Sequence, residues 1–312
     1  MAIGGAEDKL GRRSVLKTFV SLAGGADARI AVIPTASSLG PEIVEVYDAL
    51  FRKLGAGEVV AVRPQSREEA DDPALVGLLD GVTGIFMTGG NQLKLSAIVA
   101  GTAFGDAIKA AHRRGVVVAG TSAGASIQSS HMVAFGPGGS TPKQRMTQLA
   151  GGLGLVQDVV IDQHFGQRNR YGRLLMLVAQ SPGLLGIGID EDTAAVITEE
   201  DGSRVLRVVG RGVVTVFDGR KVVSNAHEAR RTAPLLASGV VLHVLPAGSV
   251  FDLTERALVC AVPPTEEEQD AEERAVAGRG LKRLARDIAA GDISPSVLRR
   301  RRARERHEGE PA

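Results

Sequence analysis

The feature that most restricts the fold is an alternation of short β-branched apolar runs with longer stretches of helical periodicity. Residues 29–34 (Arg-Ile-Ala-Val-Ile-Pro), 58–63, 84–88 and 116–119 read as buried strands, with helices over 41–54, 74–79 and 95–113 between them. In 41–54, Ile43, Val44, Val46, Tyr47 and Leu50 fall at helical spacing, and Gly55 can end the element. Strands without a polar face, joined by helices, predict an α/β fold whose parallel sheet is covered on both sides. In such sheets ligands sit beyond the carboxyl ends of the strands. Three small-residue loops fall there, at 35–38, 89–92 and 120–124.

The second half is richer in β-structure. Residues 186–190, 194–198, 205–209, 213–218, 240–245 and 249–252 read as short strands separated by Gly and Asp turns. From Pro263-Pro264 the composition changes: 266–273 is acidic, and 299–306 carries six arginines. We therefore expect one domain over 1–262 and a charged tail over 263–312, helical or disordered.

Composition enters as a set of exclusions. The formal charge is +1 at pH 7, which gives no bulk electrostatic case for nucleic acid or a membrane surface. The single cysteine, Cys260, rules out an intramolecular disulfide and a Cys-based zinc site. Lys9, Arg12 and Arg13 precede only a short apolar run interrupted by Lys17, unlike a secretion signal, and no stretch has the length of a membrane span. The expected compartment is a reducing cytoplasm. The apolar fraction of 44% supports a sizeable core, although aromatic residues make up 3% and Trp is absent.

Gly120-Thr121-Ser122-Ala123-Gly124 fits G-x-S-x-G and directly follows a buried strand. Glycine on each side lets the chain reverse sharply, so the serine hydroxyl projects from the end of the sheet. The amides of a following helix can then face a developing oxyanion. Small-residue turns also form for packing reasons, so the motif needs partners. A serine nucleophile requires a base, and the base an orienting group.

Among six histidines, His112 and His307 lie in arginine-rich surroundings, His227 in a polar turn, and His243 inside an apolar strand. His131, soon after the serine turn, reads as structural. His164 ends the strand 159–163 and opens a polar run containing Arg168, Arg170 and Arg173. Arginine forks suit carboxylates, and Asp162 can hold a cation; a charged helix face is the plainer reading of Arg170 and Arg173. Asp190, Glu191 and Asp192 follow a further strand. Spacing alone does not choose which orients the histidine, though strand alternation sets Glu191 on the face opposite the other two.

The order Ser122, His164, acid differs from the Ser, acid, His order of α/β-hydrolases, and no HGGG-type oxyanion loop is present. Instead Thr88-Gly89-Gly90-Asn91-Gln92 follows the neighbouring strand. Gly4-Gly5-Ala6-Glu7-Asp8, this glycine pair, Gly120 to Ala125, Asp162-Gln163-His164-Phe165 with the three arginines, and Gly188-Ile189-Asp190-Glu191-Asp192-Thr193 together resemble the cyanophycinases. These are serine peptidases related to peptidase E, in the class I glutamine amidotransferase-like superfamily. The match spans roughly residues 3–262 in the family's motif order.

The resemblance implies a flavodoxin-like three-layer α/β/α fold with a mostly parallel central sheet and a β-rich C-terminal part. It implies a homodimer without a metal or other cofactor. Ser122 corresponds to the family's nucleophile, His164 to its base and Glu191 to the acid. The backbone of Gly90, Asn91 and Ala123 is expected to form the oxyanion hole. Gln92, Asp162, Gln163, Arg168, Arg170 and Arg173 match the substrate pocket. The implied substrate is cyanophycin, polyaspartate with arginine joined through its α-amino group to each β-carboxyl, cleaved from the carboxyl end to β-aspartyl-arginine. Each unit offers a carboxylate and a guanidinium, which a pocket of Arg forks and Asp162 can pair. Two other readings stand beside it: a peptidase E-like aspartyl dipeptidase, and a non-catalytic binding module on the same scaffold.

Overall fold

Successive strand residues point to opposite sheet faces, and in this chain both faces are apolar. In the computed structural model, which describes residues 1–261, the first part comprises β1 (Ala2–Ile3), α1 (Ser14–Leu22), β2 (Arg29–Ile33), α2 (Glu42–Lys53), β3 (Glu58–Ala61), α3 (Arg67–Ala70), α4 (Pro73–Gly77), β4 (Gly84–Met87), α5 (Gln92–Val99), α6 (Ala103–Arg113), β5 (Val117–Thr121) and the single turn α7 (Ala123–Ser126). The second part comprises β6 (His131–Phe135), β7 (Gln148–Gly151), β8 (Val159–Gln163), α8 (Tyr171–Gln180), β9 (Leu185–Ile189), β10 (Thr193–Glu200), β11 (Ser203–Gly210), β12 (Val213–Asp218), β13 (Val223–Ser224), β14 (Ala237–Ser238), β15 (Val241–Pro246), β16 (Ser249–Asp252) and β17 (Ala257–Ala261). The charged tail expected over 263–312 lies outside the described residues.

A nine-stranded sheet runs β17-β16-β11-β10-β1-β5-β4-β2-β3. Its β1-β5-β4-β2-β3 half is parallel, and β10, β11, β16 and β17 extend it antiparallel. Ile30, Val32 and Phe86 pack with Phe19 of α1 and Tyr47 and Phe51 of α2. Ala31, Ile33, Ile85, Met87 and Val118 pack on the opposite face with Leu95 of α5 and Phe104 and Ile108 of α6. This makes the three layers. Much of the scarce aromatic content is spent in one place, where Phe19, Tyr47, Phe51 and Phe86 meet with ring centroids 4.7 to 5.7 Å apart.

A second sheet, β15-β12-β9-β8, has a parallel β8–β9 pair and antiparallel neighbours. One of its faces packs Ile161, Ile187, Ile189, Val214 and Val216 against Ala2, Ala195, Leu206 and Val208 of the large sheet. Its other face is covered by α8 through Leu174, Leu177 and Val178. The β-rich second half thus divides between these two sheets and two separate strand pairs, β6–β7 and β13–β14.

Of the differences from the sequence expectation, three concern the large sheet and the helices that cover it. The helix expected over 95–113 is two helices, because Gly101 takes a positive φ of 69° and the Thr102 hydroxyl accepts from the Gly105 amide at 3.3 Å, starting α6 anew. The helix α1 went unread, although Val15, Leu16, Phe19 and Val20 carry a one-faced pattern. The third is β1, two residues long yet central in the sheet, where it bridges β5 and β10. Among the described residues no helix is long and apolar enough to cross a membrane.

Candidate active site

Ser122 sits between β5 and α7 with φ 52° and ψ −106°, a backbone conformation that costs a non-glycine residue energy. The flanking glycines are dictated by close approach. A Cβ on Gly120 would lie 2.1 Å from the Gly124 carbonyl oxygen, and one on Gly124 would lie 2.3 Å from that of Met87. The turn therefore folds back on itself and onto β4 with no room for a methyl group. The Ser122 amide donates to Ile3 O at 3.0 Å, so β1 pins the turn from the other side.

The Ser122 hydroxyl lies 3.0 Å from His164 Nε2, and His164 Nδ1 lies 2.6 Å from Glu191 Oε1. With the proton placed on Nδ1, the imidazole donates to Glu191 and accepts from Ser122. The three groups come from different places: Ser122 from the large sheet, His164 from the end of β8, and Glu191 from just after β9. The ambiguity among three carboxylates resolves by partners. Asp190 accepts from the Gly166 and Val213 amides, and Asp192 accepts from the Asp8 amide, leaving Glu191 for the histidine.

The N-terminal loop is the floor beneath the histidine. The His164 amide donates to Gly4 O at 2.7 Å, and a Cβ on Gly5 would lie 2.3 Å from His164 Cε1. Glu7, in the same loop, is buried and accepts from Thr121 Oγ1 at 2.6 Å, Tyr47 OH at 2.5 Å and Lys9 Nζ at 2.6 Å. In the sequence Gly5 and Glu7 are letters of the first motif with no readable role of their own. Tight glycine approach and buried charge are properties of the fold, and neither is written in local spacing.

Burial holds the His164 pKa below its usual value of 6.5, and the nearby Arg168 charge adds to this, while the Glu191 bond opposes it. The imidazole is therefore neutral at neutral pH. That is the state required of a base.

The remaining pocket residues divide into exposed and committed groups. Asp162 is fully buried on β8 and receives Arg173 through Nε at 2.6 Å and through Nη2, with Arg170 Nη1 at 3.2 Å. Arg170 Nη1 also donates to Gln163 Oε1 at 2.9 Å, and that oxygen lies 3.4 Å from the Ser122 hydroxyl. Burial draws the Arg170 pKa down to about 10, against the raising influence of Asp162. Arg173 Nη1 donates to Gly136 O at 2.7 Å, and Gln92 Nε2 to Ala134 O at 2.7 Å and Val133 O at 3.2 Å. Arg168 is exposed. Asp162 was expected to be open to a cation. Here both its oxygens are taken by arginines, because a lone buried carboxylate would be far costlier than a paired one.

The oxyanion expectation needs one correction. The Asn91 amide donates to Ala36 O at 2.8 Å, and the Asn91 side chain caps α5 by accepting from the Leu93 and Lys94 amides. Its backbone N–H is thus engaged elsewhere. The amides of Gly90 and Ala123 make no backbone bond among the described residues. The expected helix after Ser122 is the single turn α7, too short to build a full helix dipole.

Of the other histidines, His112, His131 and His227 are exposed, and His243 packs edge-on against Phe251 with ring centroids 4.7 Å apart. His307 lies outside the described residues. No cluster of three metal-ligating side chains occurs among the described residues.

The family model described as Peptidase family S51 matches residues 1–205. A cyanophycinase from Nostoc sp. is 40% identical over 264 residues, covering 84% of this chain and 88% of that protein. A cyanophycinase from Synechococcus elongatus is 40% identical over 268 residues, covering 85% of this chain and 82% of that protein. Among solved structures, a peptidase from an acI-B1 Actinobacterium aligns with a TM-score of 0.54 at 24% identity, covering 77% of this chain and 95% of that one, a likeness of fold. The matched region carries the parallel sheet, the serine turn, His164 and Glu191, and the chain belongs to peptidase family S51.

Proposed function

We propose that this chain is a serine-type exopeptidase that hydrolyses cyanophycin to β-aspartyl-arginine through an acyl-enzyme on Ser122. The observation that carries the reading is the relay Glu191 Oε1, His164, Ser122 Oγ, with separations of 2.6 and 3.0 Å. His164 Nε2 takes the hydroxyl proton as Oγ attacks the carbonyl carbon of a backbone Asp–Asp bond. The imidazolium so formed is stabilised by Glu191, and the Gly90 and Ala123 amides receive the carbonyl oxygen as it gains charge. The proton on Nε2 then passes to the departing amine. Water attacks the ester with His164 again as base, which frees Ser122 and the shortened polymer.

The substrate assignment is supported by the relatives, both cyanophycinases at 40% identity, and by the cationic groups around the hydroxyl. Asp162 orders Arg170 and Arg173, and Gln163 joins Arg170 to the nucleophile side. In this reading exposed Arg168 meets a substrate carboxylate, while Arg170 and Arg173 shape the pocket. Gln92 braces β6 along its rim.

Purified protein incubated with cyanophycin should release β-aspartyl-arginine, detected by mass spectrometry. Well-folded protein that releases none refutes the substrate assignment. Cleavage of α-aspartyl dipeptides in its place would identify a peptidase E-like dipeptidase, and failure of Ser122 to react with a serine-directed phosphonate would favour a binding module. The same proposal takes the protein as a cytoplasmic homodimer, which sedimentation at twice the chain mass and fractionation of cells would support.

A further inference from the structure

Four exposed basic residues outside the relay sit on two segments joined by backbone hydrogen bonds. Residues 142–144 pair with 232–235: Leu235 N donates to Pro142 O at 2.9 Å, Gln144 N to Ala233 O at 2.9 Å, and Thr232 N to Gln144 O at 3.0 Å. Gln144 points inward, where its side chain bonds to Ala226 O and receives Gln180 Nε2 at 2.5 Å. Its neighbours Lys143 and Arg145 are exposed, as are Arg230 and Arg231 on the paired segment. None of the four has an ion-pair partner among the described residues. The acid nearest in sequence is Glu228, exposed and 3.9 Å from His227. Four like charges held together on hydrogen-bonded backbone repel one another, and nothing in the packing of Gln144 requires them.

The patch is joined to the candidate active site by two routes. Gly136 O accepts from Arg173, Gly139 N donates to Asn169 O at 2.5 Å, and Gly172 N donates to Gly139 O at 2.8 Å, so the strand of chain leading to Lys143 lies along the loop bearing Arg168. The helix α8 carries Arg173 in its first turn and, at its last residue, Gln180 holds Gln144. At about 1.5 Å per residue the two ends of α8 are about 14 Å apart. An extended chain advances about 3.3 to 3.6 Å per residue, so roughly four residues of bound substrate would span that gap.

We propose that Lys143, Arg145, Arg230 and Arg231 form a second binding site for an extended polymer bearing regularly spaced carboxylates, about four residues beyond the end of α8 that carries Arg173. This rests on the reading above, in which such a polymer is the substrate. Each carboxylate of the bound polymer meets a cation, and its guanidinium faces water. The site lowers KM for long chains and leaves the chemistry at Ser122 unchanged.

The test compares wild type with Lys143→Glu/Arg145→Glu/Arg231→Glu on cyanophycin and on its oligomers of two to three units, at low and high salt. The expected result is at least a five-fold rise in KM for the polymer with kcat unchanged, and no change on the oligomers. Wild-type KM for the polymer should rise with salt, through screening, and more steeply than that of the triple variant, which keeps Arg168. An unaltered polymer KM overturns the proposal, as does an equal loss on both substrates with an unchanged melting temperature. Cosedimentation of Ser122→Ala protein with insoluble cyanophycin, with and without the three substitutions, reads the patch even if neither substrate is cleaved. Equal binding in that assay also overturns it.

Discussion

At the residue scale, Ser122 holds a conformation that its own side chain disfavours. A backbone at φ 52° and ψ −106° costs a non-glycine residue on the order of 1–3 kcal/mol. Glycine relieves this, offset by about 0.4–1 kcal/mol of greater unfolded-state freedom. Ser122→Gly should therefore be more stable than Ser122→Ala by about 1 kcal/mol, seen as a higher denaturation midpoint at equal m-value. Both should lose roughly three orders of magnitude or more in kcat, and a Gly variant less stable than the Ala variant would show that the turn is unstrained. His164 gives a second prediction. Because burial first, and Arg168 next, hold its pKa below 6.5, the acid limb of kcat/KM should have its midpoint below pH 6.5. Activity rises as pH increases through that midpoint, where the imidazolium loses its proton. Arg168→Gln removes a lowering charge and should move the midpoint upward, whatever it does to KM.

At the element scale, legibility followed burial. The strands β2, β4, β5 and β8 were readable because a strand buried on both faces must be an unbroken apolar run. The strand β1 was not, because two residues carry no period and its centrality comes from pairing with β5 and β10. Ser122, His164 and Glu191 were legible through motif letters and family resemblance. The engagement of the Asn91 amide by Ala36 was not, since it depends on how two loops meet. The serine turn shows how strict such meetings are. Gly124→Ala would set a methyl group 2.3 Å from Met87 O and 2.8 Å from Met87 Cβ, so α7 and β4 must part. The expected outcome is insoluble protein or a loss of more than about 3 kcal/mol. Thr102→Ala, which removes the cap that starts α6 and the hydroxyl's own bond to Val99 O at 2.7 Å, should cost about 1–2 kcal/mol.

At the scale of the whole molecule, the relay is assembled across an interface between two sheets. Ser122 belongs to the nine-stranded sheet, whereas His164 and Glu191 stand at the ends of neighbouring strands in the four-stranded one. Their 3.0 Å separation therefore depends on how Ile161, Ile187 and Val214 pack on Ala2, Ala195 and Leu206, alongside the bonds that tie Ser122 to Ile3 and His164 to Gly4. Interiors pack at crystal-like density, so a lost methyl group is answered by partial movement of its neighbours. Ile161 is fully buried on β8 and precedes His164, which follows the strand's last residue, by three positions. Ile108, equally buried, lies on α6 and belongs to the cluster on one face of the parallel strands, apart from the cluster between the sheets. Ile161→Val and Ile108→Val remove the same group and should each cost about 0.5–1.5 kcal/mol, a drop in melting temperature of a few degrees. Only Ile161→Val should lower kcat, measured well below either melting transition, because only there does relaxation move the imidazole relative to the hydroxyl. Equal kcat values for the two variants would mean that the turn around Ser122 and the floor formed by Gly4 and Gly5 hold the relay without help from the packing between the sheets.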